Sequence, residues 1–278
     1  FITVTGQAKG AYIRSVVPTP NIVTVKQRHS FVELPDDDYT PREFDSRAGY
    51  MSISFMDFAS PIDEQIVKKF IARHRLIKKQ PHLEISEPVD PIIYYLDRGT
   101  PEPVRSALIE GGNWWNEAFE YAGFKNAFRV EVAPEGMDLL DVRYNAIQWV
   151  HRSTRGWSYG ASVKDPRTGE IIKGHVSLGS LRVRQDYLIA QGLLQPFKTD
   201  DSGDERMLQM ALARLRQLSA HEIGHTLGLS HNFSSSASGR SSVMDYPHPL
   251  ITGDNDDLNF DIAYDLSLIH ISEPTRPY

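Results

Sequence analysis

The 278-residue chain is predicted to be an α+β protein, with a β-rich N-terminal part carrying one helix and then a mixed sheet of five strands with two long helices. Three observations predict this. Short runs of β-branched and aromatic residues broken by Gly, Pro and Asn crowd the chain before residue 89. Two later segments repeat apolar residues at helical spacing. Between those segments lie period-2 and continuous apolar runs of strand length.

FITVTG (1–6), AYIRSVV (11–17) and IVTVKQ (22–27) read as strands. In YMSISFMDF, Met51, Ile53 and Phe55 alternate with Ser52 and Ser54, the pattern of a half-buried strand. Ser60 as cap, Pro61 at the first position and Asp63 completing a capping box then predict a helix. Its apolar face is Ile66, Val67, Phe70 and Ile71. The cations Lys68, Lys69, Arg73, Arg75, Lys78 and Lys79 are expected to form a solvated far end.

SEPVDP (86–91) is proline-punctuated and reads as a linker. IIYYL (92–96) has the continuous apolar character of a strand buried on both faces. A helix from about Pro101 to Ala122 buries Val104, Ala107, Leu108, Trp115, Ala118, Phe119 and Ala122, and Gly123 stops it. FRVEV (128–132) and DVRYNAIQWV (141–150) are the next strands. WSYGASV and EIIKGHVSL then flank the turn KDPRTG as a hairpin. After the acidic stretch 198–205, Leu208, Ala211, Leu212, Leu215 and Leu218 form the stripe of a second long helix that runs into His221.

Composition narrows the function. A net charge of −6 excludes a general nucleic-acid binder. No apolar run has the length of a membrane span. With no cysteine there is no disulfide or thiolate chemistry, which fits a bacterial or cytosolic origin without excluding secretion. The acidic runs at 36–38, 201–205 and 254–257 lack the EF-hand pattern and read as solvated loops. His29, His82, His151, His175 and His248 each read singly as packed or solvated residues.

HEIGHTLGLSH (221–231) concentrates the chemistry. Four helical residues bring a side chain back to within about 40° of its start, so His221 and His225 share one face. Gly228 can take a positive φ and end the helix, letting His231 approach from another direction. Three imidazoles leave a tetrahedral Zn²⁺ one open position. Glu222, about 100° round from His221, is badly placed as a ligand but well placed as general base to a metal-activated water. The expected cofactor is Zn²⁺ on His221, His225 and His231, and the expected substrate a peptide or protein. A zinc-containing module that binds peptides or surfaces without cleaving them is the alternative, and Glu222 weighs against it.

HExxHxxGxxH is the motif of the metzincin zinc endopeptidases, and the chain resembles them. SSVMDYP (241–247) resembles their Met-turn, with Met244 beneath the ligands as packing. The resemblance implies a twisted sheet and a metalloendopeptidase activity. For Tyr246 it implies a switchable fifth ligand or oxyanion donor, against the plainer reading of a loop tyrosine. Asp245 departs from the histidine that the astacin branch places there. PREFDSRAGYMSISFMDF, WSYGASVKDPRTGEI and HEIGHTLGLSHN together resemble large bacterial zinc-dependent metalloproteases with an uncharacterised N-terminal domain, many of them exported. By order, Trp157 to Val163 is either the edge strand that pairs with substrate or a plain edge.

The expected organisation is an N-terminal domain over 1–88, a metzincin-like protease domain over 89–266 and a non-native tail over 267–278, where SLIHISEPTRPY reads like translated sequencing-adaptor sequence. The resemblance also implies a lobe after the Met-turn that this chain does not complete. Phe1 is not an initiator, so a longer, exported precursor is expected, periplasmic, cell-surface or secreted.

Overall fold

The computed structural model describes residues 1–152, 157–194, 203–238, 242–254, 257–259 and 263–264. The tail over 267–278 and most of the acidic stretches 198–205 and 254–257 lie outside the described residues. The chain divides into two compact units, 1–35 and 36–278.

In the first unit β1 (Ile2–Gly6) and β2 (Val23–Gln27) pair antiparallel, with Val4 opposite Val25. The strand expected at 11–17 is instead the helix α1 (Ala11–Val16), so that expectation is corrected. The Cβ-branched Ile13 and Val16 suggest a strand, but this one-turn connection has no neighbouring strand to pair with.

The second unit begins with the hairpin β3 (Ser52–Met56) and β4 (Val67–Ile71). The helix expected after Ser60 is not formed. Asp57 accepts from the Ala59 N–H at 3.0 Å, and the Glu64 N–H reaches the Pro61 carbonyl at 3.0 Å, so Ser-Pro-x-Asp closes a turn. Ser60 Oγ has no partner and caps nothing. Phe70 stands opposite Ile53 and packs against Phe55 with the rings tilted and 5.8 Å apart, a cross-strand packing that outweighs the helical capping pattern. The cations after it are not a solvated helix end either. Arg75 grips Glu170 with two bonds of 2.8 and 2.9 Å and reaches Asp36 at 2.7 Å. Lys78 donates to the Leu83 and Glu84 carbonyls, and Lys79 pairs with Glu87.

The main sheet has the order β6-β5-β7-β9-β8. Its strands are β5 (Ile92–Leu96), β6 (Phe128–Val132), β7 (Asn145–Val150), β8 (Tyr159–Lys164) and β9 (Ile171–Gly179). β5 runs parallel to β6 and β7, β7 parallel to β9, and β8 antiparallel to β9 on the edge. The sheet is therefore mixed, and the apolar run IIYYL forms β5, an interior strand paired on both sides, as its composition requires.

Helix α2 (Val104–Tyr121) buries Val104, Ala107, Leu108, Trp115 and Ala118, and α4 (Gly203–Thr226) buries Ala211, Leu212, Leu215 and Leu218. Trp115 Nε1–H donates to the Ala220 carbonyl at 2.8 Å and Ser219 Oγ–H to the Leu108 carbonyl at 2.7 Å, so buried polar groups set how the two helices meet. Between β9 and α4 lies α3 (Leu181–Leu194), a helix the sequence pattern missed. It has no clean apolar stripe, since charged Arg182 and Asp186 sit on the face toward α4 and pair with each other at 3.2 Å. The stretch 86–91 lies inside the second unit, where the Val89 N–H bonds the Ile77 carbonyl and the Lys125 N–H the Ser86 carbonyl.

Candidate metal centre

The last two turns of α4 carry His221, Glu222 and His225. Gly228 then takes φ +102, a left-handed conformation, and the helix ends. The Leu229 N–H closes on the Gly224 carbonyl at 3.0 Å. Space matters as well as φ, because a Cβ on Gly228 would overlap the Ala72 carbonyl. Beyond the bend the chain returns His231 to the helix.

Three imidazoles meet there. His225 Nε2 lies 3.2 Å from His221 Nε2 and 3.1 Å from His231 Nε2, and the three candidate ligand atoms all fall within 4.8 Å of one another. The opposite nitrogens explain the aim. His221 Nδ1 sits 2.8 Å from the Val243 carbonyl and His225 Nδ1 2.9 Å from the Leu229 carbonyl. A carbonyl can only accept, so each Nδ1 carries the proton and each Nε2 offers a lone pair. Burial holds His221 down to about 3 and keeps His225 and His231 below the ordinary histidine range, so the rings are neutral at neutral pH, the state that ligates metal.

The donor set fits zinc. A tetrahedral ion about 2.05 Å from each nitrogen sets neighbouring nitrogens about 3.3 Å apart. Lone pairs aimed at one another across 3.1 and 3.2 Å match that spacing and call for a cation between them.

Glu222 is buried, and burial pushes its carboxyl up to about 7 against the opposing pull of Arg214, a hydrogen bond from the Gly160 N–H, and Arg182. The Gly160 bond joins edge strand β8 to the helix. A Cβ on Gly160 would overlap the Glu222 carbonyl oxygen, so only glycine lets the strand come this close. Among the described residues, Glu222 is not one of the groups whose ligand atoms converge with the three imidazoles.

Met244 is almost fully buried beneath the helix, and a Cβ on Gly224 would run into its sulfur. Its carbonyl accepts from the Asn232 N–H at 2.9 Å. Ser241, the first residue of the expected Met-turn, lies outside the described residues. Tyr246 is exposed, with its ring 4.5 Å from that of His231 and 5.4 Å from that of His221. The structure thus brings His221, Glu222, His225, His231 and Tyr246 into one place.

Residues 203–266 match a family model described as Met-zincin. That segment holds the whole histidine motif and Met244, and the convergent triad agrees with the match. Residues 1–79 match a domain of unknown function, DUF5117. No curated protein and no solved structure matches the chain. Among the described residues, no helix is long and apolar enough to cross a membrane.

Two contributors to the site have roles that the sequence reading did not give, Asp245 being noted there only as a departure from the astacin histidine. Asp245 accepts from Ser235 at 3.2 Å, from Ser236 and from the Tyr246 N–H at 2.8 Å. Burial pushes its carboxyl up, but these bonds outweigh burial and hold it below the usual range, so an anion stands near His231. The second is the segment 49–51. The Met51 N–H bonds the Gly228 carbonyl at 2.7 Å, and Ser230 bonds the Gly49 carbonyl through N–H at 2.9 Å and hydroxyl at 2.8 Å. It clamps the bend that delivers His231. A lone aspartate after Met244 gave no sign of the first. For the second, the GY pair before a strand was the sole available hint.

Proposed function

We propose that this chain is a zinc-dependent endopeptidase, with His221, His225 and His231 as ligands and Glu222 as general base. One observation carries the reading: the Nε2 atoms of buried His221 and His225 and of half-buried His231 converge at the helix turn that also carries the buried carboxyl of Glu222. Zn²⁺ held there supplies a Lewis acid that polarises a peptide carbonyl and brings a water's pKa down to about 7.

The chain's own residues do the rest. Glu222, outside the ligand set and poised near pH 7, takes the proton of the attacking water and carries it to the departing amine. The Gly160 N–H and the charge of Arg214 keep that carboxyl from rising further and so keep it competent as a base. β8, unpaired on its outer side, offers backbone groups to an extended peptide, which gives affinity with little sequence preference. Tyr246, beside both His221 and His231, is positioned to donate its hydroxyl to a substrate oxygen. Export to the periplasm, cell surface or medium goes with this reading, and cell fractionation tests it.

The test combines metal analysis with peptide cleavage. One zinc per chain, cleavage abolished by chelator and restored by zinc, and a Glu222→Gln variant that retains zinc while losing roughly 10²- to 10⁴-fold in rate are expected. A Glu222→Gln variant that keeps its zinc and cleaves as fast as the parent removes the general-base role.

A further inference from the structure

A cavity of about 510 Å³ opens on the far side of Tyr246. α3 contributes Arg182 and Asp186 to it, α4 contributes Arg214, and the segment that follows Met244 contributes Tyr246 and His248. Its size is that of an ordinary small-ligand site. Tyr246 is shared, because its ring lies 4.5 Å from that of His231 and also walls the cavity. The cavity is therefore a side chamber of the metal centre.

Among the described residues that line it, the cations Arg182 and Arg214 outnumber the single carboxylate, Asp186. Arg182 is answered by Asp186 at 3.2 Å. Arg214 makes no hydrogen bond or close ion pair to any described residue; it lies over the Tyr264 ring at 5.4 Å and feels Asp186 and Glu222 only at longer range. Burial and the neighbouring Arg182 both disfavour its charge, yet a guanidinium does not give up its proton. Around it, Ile189, Leu193, Ile251 and the prolines keep the chamber apolar. A half-desolvated cation in apolar walls, with five donors in a planar fork, is built to accept a carboxylate.

We propose that this chamber recognises a carboxylate of the bound peptide next to the cleaved bond, with Arg214 as the recognising group. The inference rests on the peptidase reading and names its substrate class, peptides acidic near the scissile bond. Arg214 acts at a distance on Glu222 and Asp186 without a close ion pair to either, so its hydrogen-bond donors can turn to a substrate carboxylate.

The full-length zinc-loaded chain should be given acetylated, amidated peptides that differ at one position beside the cleaved bond, with Glu, Gln or Lys there. A parallel neutral peptide should end in a free acid. Glu is expected to exceed Gln in kcat/KM by roughly 10- to 100-fold, the worth of a charge-assisted hydrogen bond. Arg214→Gln should bring that ratio to about 1, Arg214→Lys should keep part of it, and Arg214→Glu should turn the preference toward Lys. A ratio is read on one protein sample, so a change in basal rate does not obscure it. Preference for the free-acid peptide alone, lost in Arg214→Gln, assigns the chamber to a chain end instead of a side chain.

Equal cleavage of Glu and Gln peptides, or a Glu preference that survives Arg214→Gln, overturns the proposal. Fluorescence anisotropy of the same peptides on the Glu222→Gln protein separates the two readings. Arg214-dependent binding of acidic peptides without any hydrolysis by the parent chain leaves the chamber standing and removes the peptidase. Hydrolysis without acidic preference does the reverse.

Discussion

At the scale of single residues, hydrogen-bond bookkeeping sets the metal centre. Each helical histidine spends its Nδ1 proton on a carbonyl, and the remaining nitrogens have nowhere to point but at one another. The motif made the three ligands and Glu222 legible, because helical spacing fixes His221 against His225. It could not reveal Val243 or Leu229 as the carbonyls that choose the tautomer, since any residue supplies a carbonyl. His74 is a residue of a different kind. Its Nε2 is buried without a partner, and burial holds the ring at about 4, offset only by a bond to the Thr226 backbone. The fold thus favours the neutral ring. The stability it contributes is whole above the ordinary value of 6.5 and drains away as pH falls toward 4. A His74→Gln chain is expected to lose denaturant stability less steeply between those values than the parent, as followed by urea melts at stepped pH. Parallel slopes in the two proteins would count against this.

At the scale of elements, the strands of the main sheet and both long helices could be read in the sequence, because burial on one or two faces writes its period directly. The failures have physical causes. Val67–Ile71 has helical spacing of its apolar residues and a capping pattern before it, yet the same residues pair with β3 once Phe70 can pack against Phe55. α3 carries a half-buried salt bridge, which hides its inner face from any apolar count. The meeting of β8 with α4 depends on a missing side chain. Gly160→Ala would force the strand away from Glu222 and break the N–H bond to its carboxylate. Gly228→Ala would put a Cβ into the Ala72 carbonyl in a backbone conformation that costs about 1–3 kcal/mol for a non-glycine residue. Thermal and chemical melts are expected to rank both variants below the parent. Gly228→Ala should also bind zinc more weakly, because His231 hangs on that bend. Unchanged zinc affinity in a destabilised Gly228→Ala protein would separate the bend from the ligand it carries.

At the scale of the molecule, the residues before 89 are not bystanders to the metal centre. Gly49, Met51 and Ala72 hydrogen-bond or pack around the Gly228 bend, and Arg75 reaches across to Glu170 at the end of the β8–β9 hairpin. No pattern in one segment could announce this, because each half of the contact is an ordinary backbone or surface group until the fold joins them. A chain shortened to 89–266 is therefore expected to hold zinc less tightly than the full chain. Competition against a chromogenic chelator would measure it, and chelation of the full chain should lower its melting temperature by roughly 5 to 10 °C. Equal zinc affinity in the two chains would mean that the clamp at 49–51 is dispensable.

The carbonyl of Val243 that fixes His221 belongs to the loop around Met244, and the Met244 carbonyl in turn holds Asn232, next to His231. Ion occupancy and loop closure therefore share one free energy, and thermodynamic reciprocity makes each strengthen the other by the same factor. Starving the protein of zinc would loosen this return segment while the helix beneath it stays intact, and a scissile nick in the segment would release the ion from an otherwise folded body.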